Sequence, residues 1–200
     1  MLHPDTELRT INPRIGCGIF ATADIPRGTI VYAKDAMEII VFEEDMLYRD
    51  KKYREHIKKY SYTEADGSKV LSWDLAKYVN HACDSNTLST GYGFEIAVRD
   101  IVKGEQITDD YGMLNIECMM SCECGSLFCR KNIGVNDFAT SVDNWDRRVQ
   151  AAIDCLPDVA QPLLGYLNGE TRSLLEGYLV GSHDYRSVSE LERRISQNIA

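Results

Sequence analysis

Two hundred residues, 44% of them hydrophobic, suffice for one core with a small appendage. A formal charge of −9 sets aside direct nucleic-acid and membrane binding, and it favours a basic partner such as a Lys-rich protein tail, drawn in by steering. Residues 1–11 carry charges without an apolar h-region, and no run reaches the length of a membrane span. Seven unevenly spaced cysteines do not make a secreted disulfide framework. An intracellular, reducing compartment, cytoplasm or nucleus, is expected.

From Ile15 to Val41 the chain predicts strands and turns. Gly16-Cys17-Gly18 leads into Ile19-Phe20-Ala21, and Pro26-Arg27-Gly28 makes a turn. Thr29 to Tyr32 and Glu38 to Phe42 are β-branched and aromatic, as strands require. Between Glu43 and Tyr60, Met46, Leu47, Tyr53 and Ile57 fall at helical spacing on a charged surface segment. Ala65-Asp66-Gly67-Ser68 reads as a hairpin turn between short strands.

The next stretch, Tyr78-Val79-Asn80-His81-Ala82-Cys83-Asp84-Ser85-Asn86, is polar and turn-prone between two apolar segments, a setting in which function is often placed. Phe94 to Val98 then alternates, and Gly104-Glu105-Gln106-Ile107 turns into another strand that runs to Asp109-Asp110-Tyr111-Gly112. Many short strands predict an irregular β-rich domain to about residue 138. Beyond it, Asp143–Cys155, Asp158–Leu167 and Glu170–Val180 carry helical apolar spacing, and Ser187-Val188-Ser189-Glu190 is a capping box that opens a last helix.

Cys122-x-Cys124-x4-Cys129, with Gly125 in the bend, supplies three thiols of a four-ligand zinc site. The fourth is Cys118, nearest in sequence, or Cys83, which would staple the knuckle to the polar loop. Cys17 and Cys155 read as small core residues; His3, His56 and His183 read as surface residues. Asp109 and Asp110 are adjacent on a strand and so point to opposite faces, which excludes a glycosidase-like acid–base pair.

Singly these features are weak. Gly16-x-Gly18, then Asn80-His81-x-Cys83-x-x-Asn86, then Gly104-Glu105 leading to Asp110-Tyr111-Gly112, then the cysteine triplet, in that order, resemble the SET-domain family of protein lysine methyltransferases with a post-SET zinc knuckle. The resemblance implies a mainly β (α+β) fold of short strands with a C-terminal pseudoknot. It implies a SET domain over 8–117, a knuckle over 118–134 and, outside the family core, a helical C-terminal extension over 139–200. It further implies S-adenosylmethionine bound by Gly16, Cys17, Gly18, Asn80 and His81, a catalytic Tyr111 beside the lysine channel, and Zn2+ held by Cys83, Cys122, Cys124 and Cys129. The substrate would be a lysine-bearing protein, histones included.

Besides Ser85, which replaces a common proline of the central loop and is expected to matter little, two positions depart from the family pattern. Asp109 stands two residues before the late tyrosine, where an aromatic is usual; Tyr60 or Tyr62 is expected to complete the channel. Ala33-Lys34-Asp35-Ala36 occupies the place of a Glu-Tyr-x-Gly strand that often brings a tyrosine to the site. Both departures favour an alternative, a catalytically silent SET fold that binds a peptide tail. The apolar residues of the extension are expected to pack on the core or to form a homodimer interface.

Overall fold

A computed structural model describes residues 1–134 and 136–193. The strands are β1 (Thr6–Asn12), β2 (Gly16–Ala21), β3 (Ile30–Ala33), β4 (Ile39–Val41), β5 (Ser61–Thr63), β6 (Lys69–Leu71), β7 (Asn80–His81), β8 (Thr87–Ser89), β9 (Phe94–Ala97), β10 (Gln106–Asp109), β11 (Met120–Ser121) and β12 (Asn132–Ile133). The helices are α1 (Met46–Arg49), α2 (Lys51–Tyr60), α3 (Asp137–Ile153) and α4 (Gly169–Leu179). Four small sheets result, ordered β1-β2-β10-β7, β3-β9-β8, β4-β6-β5 and β11-β12. The fold is mainly β, with helices confined to one insertion and the tail. No helix among the described residues is long and apolar enough to cross a membrane.

Two clusters form the core. Ile19, Ala21, Val31, Ile101 and Ile107 fill the space between the first two sheets. The larger cluster joins Leu88, Phe94 and Ile96 of the β3-β9-β8 sheet to Trp145, Val149 and Ile153 of α3 and to Leu163, Leu167 and Leu175 further on. Burying each such side chain contributes about 1.5–3 kcal/mol, so the tail is part of the core and not an appendage to it. Gln161 fastens it: its side chain accepts from Ile30 N at 2.9 Å and donates to the Gly28 carbonyl at 2.8 Å. Trp145 and Val149, two of the residues available in principle to a dimer, are spent within the chain.

Several local expectations are corrected. The segment 158–167 is not a helix: it starts at the end of the 3-10 turn Leu156–Asp158 and holds the short 3-10 turn Leu164–Tyr166. Pro162, inside the segment, lacks the N–H that a continuing helix needs. The Glu43–Tyr60 stretch breaks into α1 and α2 at Asp50, whose side chain caps the second helix by accepting from Lys52 N at 2.9 Å. Ser187 does cap a helix, but as far as Leu191 it is a single 3-10 turn; residues 194–200, on which the rest of that expected helix falls, lie outside the described residues. His3 is buried, not on the surface, and accepts from Asp5 N through Nδ1. Cys17 and Cys155 are half-buried.

Candidate active site

β10 pairs antiparallel with β2 and parallel with β7, setting Thr108 beside Asn80 and Asp109 beside His81. This arrangement places the late tyrosine against the Asn-His loop. The 3-10 turn Leu75–Tyr78 leads in, capped by Asp74, which accepts from Ala76 N. Asn86 closes the loop on the other side: its Oδ1 accepts from Thr108 N at 2.8 Å and its Nδ2 donates to the Gln106 carbonyl at 2.8 Å. A buried amide that completes its hydrogen bonds in this way fixes one conformation.

The two glycines have different reasons to be glycine. Gly16 sits at φ +86°, a left-handed backbone that side chains rarely adopt. Gly18 is crowded: a Cβ there would meet Gln106 Nε2 at 2.7 Å and Asn80 Nδ2 at 2.9 Å. The missing side chain lets Asn80 reach across and donate to the Cys17 carbonyl at 2.9 Å.

His81 accepts the Tyr111 backbone N–H through Nδ1 at 3.1 Å. An accepting Nδ1 puts the ring proton on Nε2, which lies 3.3 Å from Cys83 Sγ. Burial lowers the His81 pKa, with the Asp110 carboxylate opposing, so the neutral tautomer is favoured. Tyr111 itself donates its hydroxyl to the Val79 carbonyl at 2.7 Å. Burial and the nearby Asp109 and Glu95 carboxyls hold its phenol above the usual range, so it is uncharged.

A cavity of about 400 Å³ opens beside Tyr111, lined also by Asp109, Glu95, Tyr32, Tyr60, Tyr62 and Val79. A second, of about 320 Å³, shares Tyr32, Tyr62, Thr63, Glu95 and Leu114 with it. The shared residues form the wall where the two meet. Tyr60 and Tyr62 were named from sequence for this lining; Tyr32 and Glu95 were not. In β9, Phe94 and Ile96 turn into the core, so Glu95 turns to the other face, where the register puts it opposite Tyr32 of β3. The alternation was readable, but not that its polar face lines a cavity. Tyr32 brings a tyrosine to the wall although the usual Glu-Tyr-x-Gly strand is absent.

The cysteines of the knuckle converge on the Asn-His loop. Ligand atoms of His81, Cys83, Cys122 and Cys124 all lie within 4.8 Å of one another. Cys83 Sγ is 3.7 Å from Cys122 Sγ, the edge of about 3.8 Å that two thiolates make on a tetrahedral zinc. Cys83 Sγ accepts from Arg130 N at 3.3 Å, and Cys124 Sγ from Cys83 N at 3.5 Å; the bonds favour thiolate and bring Cys124 down to about 7, whereas burial pushes the Cys83 and Cys122 thiols up. The Cys129 thiol touches the same cluster, pointing at the Cys122 carbonyl at 3.4 Å. Cys118, the other candidate for the fourth place, is exposed. The donor set fits a metal such as zinc; the four mutually close donors include His81, with the thiol of the expected Cys129 beside them.

The knuckle and the tail meet again at Asp110. Its Oδ1 accepts from Gly112 N at 3.0 Å and from the Arg130 guanidinium, and its Oδ2 accepts from Trp145 Nε1 at 3.0 Å. Asp110 is thus gripped from both sides immediately before Tyr111. The spacing of Trp145 announced packing only.

Residues 16–112 match the sequence profile described as the SET domain. Among curated relatives, histone-lysine N-methyltransferase ASHH3 of Arabidopsis thaliana is 33% identical over 67 residues, 30% of this chain and 18% of its own length. Histone-lysine N-methyltransferase trithorax of Drosophila virilis is 30% identical over 128 residues, 58% of this chain and 3% of its own. The chain thus spans only a small part of these relatives. Among solved structures, the methyltransferase domain of human SETMAR is 18% identical, with TM-score 0.43, over 66% of this chain and 57% of that one. KRYPTONITE bound to mCHH DNA, an H3(1-15) peptide and SAH is 19% identical, with TM-score 0.47, over 66% and 30%. By the profile match and the order of its motifs, the core of this chain, residues 16–112, belongs to the SET-domain family.

Proposed function

We propose that the protein is an S-adenosylmethionine-dependent protein-lysine N-methyltransferase. The observation that carries this reading is the convergence of the Asn80-His81 pair on Tyr111, which lines the larger cavity together with Asp109, Glu95, Tyr32 and Tyr62. The residues fit the cofactor: Gly16, Cys17 and Gly18 lie on the strand that Asn80 grips, and the space beside Gly16 is open to a ligand while that beside Gly18 is taken by Asn80, Gln106 and Ile11. When bound, S-adenosylmethionine supplies an electrophilic methyl group on a sulfonium.

The remaining work falls to the chain. Lysine has a free pKa of about 10.4 and attacks only after losing its proton; burial disfavours the ammonium, and the Asp109 and Glu95 carboxyls, both pushed up by burial, oppose this only where they ionise. Transfer is an in-line displacement, so alignment of the amine is the main demand. Tyr111, its hydroxyl fixed on the Val79 carbonyl, lines that path with its ring and stays neutral. Cys83, Cys122, Cys124 and Cys129 would hold zinc, whose part is to staple the knuckle to the Asn-His loop. The substrate is proposed to be a lysine-bearing protein, with histones the first to test because the matched relatives are named histone-lysine methyltransferases. An intracellular site of action goes with that substrate class. The expected units, 8–117 and 118–134, carry this chemistry, and the extension from 139 supports it.

Asp109, in place of an aromatic, favours one second reading, a silent peptide-binding module. Both are tested by transfer of labelled methyl from S-adenosylmethionine to core histones and to a cell lysate, with Tyr111→Phe alongside. Label that enters a protein with the parent and falls sharply in the variant supports the enzyme. Cofactor bound in calorimetry with no transfer supports the module.

A further inference from the structure

The smaller cavity, of about 320 Å³, adjoins the larger one through the wall that both share. Four segments far apart in the chain build it. The turn after β5 brings Glu64 and Asp66, the β8–β9 hairpin brings Glu95, the stretch after Tyr111 brings Asn115, and the tail brings Glu190 and Leu191. Asn115 locks them together: its Nδ2 donates to the Thr63 carbonyl at 2.9 Å and to the Leu191 carbonyl at 2.8 Å, and its Oδ1 accepts from Arg193 N at 2.9 Å. A segment outside the SET core is thus fixed as one side of a chamber next to the candidate active site.

The chemistry of this chamber is one-sided. Glu64, Asp66, Glu95 and Glu190 line it, and no Lys, Arg or His among the described residues does. The larger cavity differs, with Lys58, Lys59, Lys69 and Lys77 in its lining. Outside the smaller one, Lys34 pairs with Glu64 at 2.7 Å and Arg186 approaches Glu190 at 3.8 Å, both partly exposed and so screened, and Arg193 lies beside Gly67. The Glu95 carboxyl has neither a hydrogen bond nor an ion pair among the described residues, and burial pushes it up to about 7, the Met1 ammonium opposing. Native proteins rarely leave such a group in a cavity wall without a partner, which points to a ligand that donates to it. Phe94, Met113 and Leu191 add apolar surface to the same lining.

Resting on the methyltransferase reading, we propose that the smaller cavity is a second substrate subsite, which takes a basic side chain of the methyl-accepting protein close in sequence to the target lysine. Its carboxyls bond the cationic head and its apolar surface takes the aliphatic stem. Arginine suits it best, because its planar fork reaches two carboxyls at once. Glu190 thereby gives the extension a part in choosing substrates.

The test uses short peptides with a central lysine in a Gly-Ser background, carrying arginine at each other position in turn. Each is compared with citrulline, the uncharged near-isostere, at the same position. Binding to the whole protein is read by fluorescence anisotropy, and methyl transfer from S-adenosylmethionine is read in parallel. Arginine at one position or two should bind about tenfold tighter than citrulline, the scale of one charge-assisted hydrogen bond. Glu190→Gln and Glu64→Gln should each lower that ratio at least about threefold, with melting curves confirming that both are folded. Glu44→Gln, at an exposed carboxylate beside α1, should leave the ratio unchanged. Equal gains from arginine at every position would reveal only attraction to a chain of charge −9 and would overturn the subsite. So would equal binding of arginine and citrulline peptides, no binding of any peptide, or a ratio that neither variant lowers. The two readings fail separately. A positional preference in binding without transfer to any peptide or histone removes the methyltransferase and keeps the cavity as a peptide site, whereas transfer without that preference removes this inference alone.

Discussion

Trp145 donates its indole N–H to Asp110 Oδ2 at 3.0 Å, which ties α3 of the tail to the residue before the candidate catalytic tyrosine. Both side chains are almost fully buried. A carboxylate oxygen left without its donor there has no water to replace it, so Trp145→Phe should cost about 2–4 kcal/mol from the lost bond and the cavity together. Denaturant unfolding measures this. A loss below about 0.5 kcal/mol, the range of ordinary surface substitutions, would mean that the tail does not support Asp110.

The cysteine cluster makes a ligand-by-ligand prediction. Purified protein should carry about one zinc per chain, held by four ligands. Cys122→Ser and Cys129→Ser should each lower the metal content, whereas Cys118→Ser, at an exposed thiol, should not. His81→Gln should retain zinc, because the imidazole Nε2 is read as a hydrogen-bond donor to Cys83. Elemental analysis of the four variants decides it, and loss of metal in the histidine variant would make His81 a ligand in place of Cys129.

Stability should fall with rising pH at Asp109. An unfolded aspartate has a pKa of about 3.9, and burial raises the folded value well above that. The folded state then holds the proton more tightly. Its contribution is full below the unfolded pKa and is lost as pH rises through the folded value. Asp109→Asn removes this loss, so the gain in Tm over the parent should be larger at about pH 8 than at about pH 5. A gain that is constant across that window would show that Asp109 ionises as freely folded as unfolded.

Much of this was legible in the sequence, for reasons that differ by element. β-Branched runs such as Ile30-Val31-Tyr32 announce strands because local propensity and burial agree there. The Asn-His loop stands out because little in it serves a helix or strand. What stayed hidden depends on pairing across long separations. Glu95 reads as the polar side of an alternating strand, and only the register with β3 makes that side a cavity wall opposite Tyr32. Trp145 reads as core, and only the docking of α3 makes it a partner of Asp110. The 158–167 stretch misled because its apolar spacing is helical while Pro162 within it is not.

Gly18 gives the sharpest link between backbone space and function. Gly18→Ala adds one methyl group that must push aside Asn80 Nδ2, Gln106 Nε2 and the Ile11 side chain, all within 2.9 Å of the new atom. Overpacking of this kind costs about 1–3 kcal/mol. Asn80 is the neighbour that bridges to the Cys17 carbonyl, so displacing it disturbs the strand and loop proposed to hold the cofactor. Calorimetry with S-adenosylhomocysteine should show affinity at least about tenfold weaker, the equivalent of 1.4 kcal/mol. Gly16→Ala meets no neighbour within 4 Å but strains a left-handed backbone, so its cost should appear in Tm more than in affinity. If Gly18→Ala kept full affinity while losing stability, the glycine would be there only to let the strand and loop pack, and the cofactor would have to be held elsewhere.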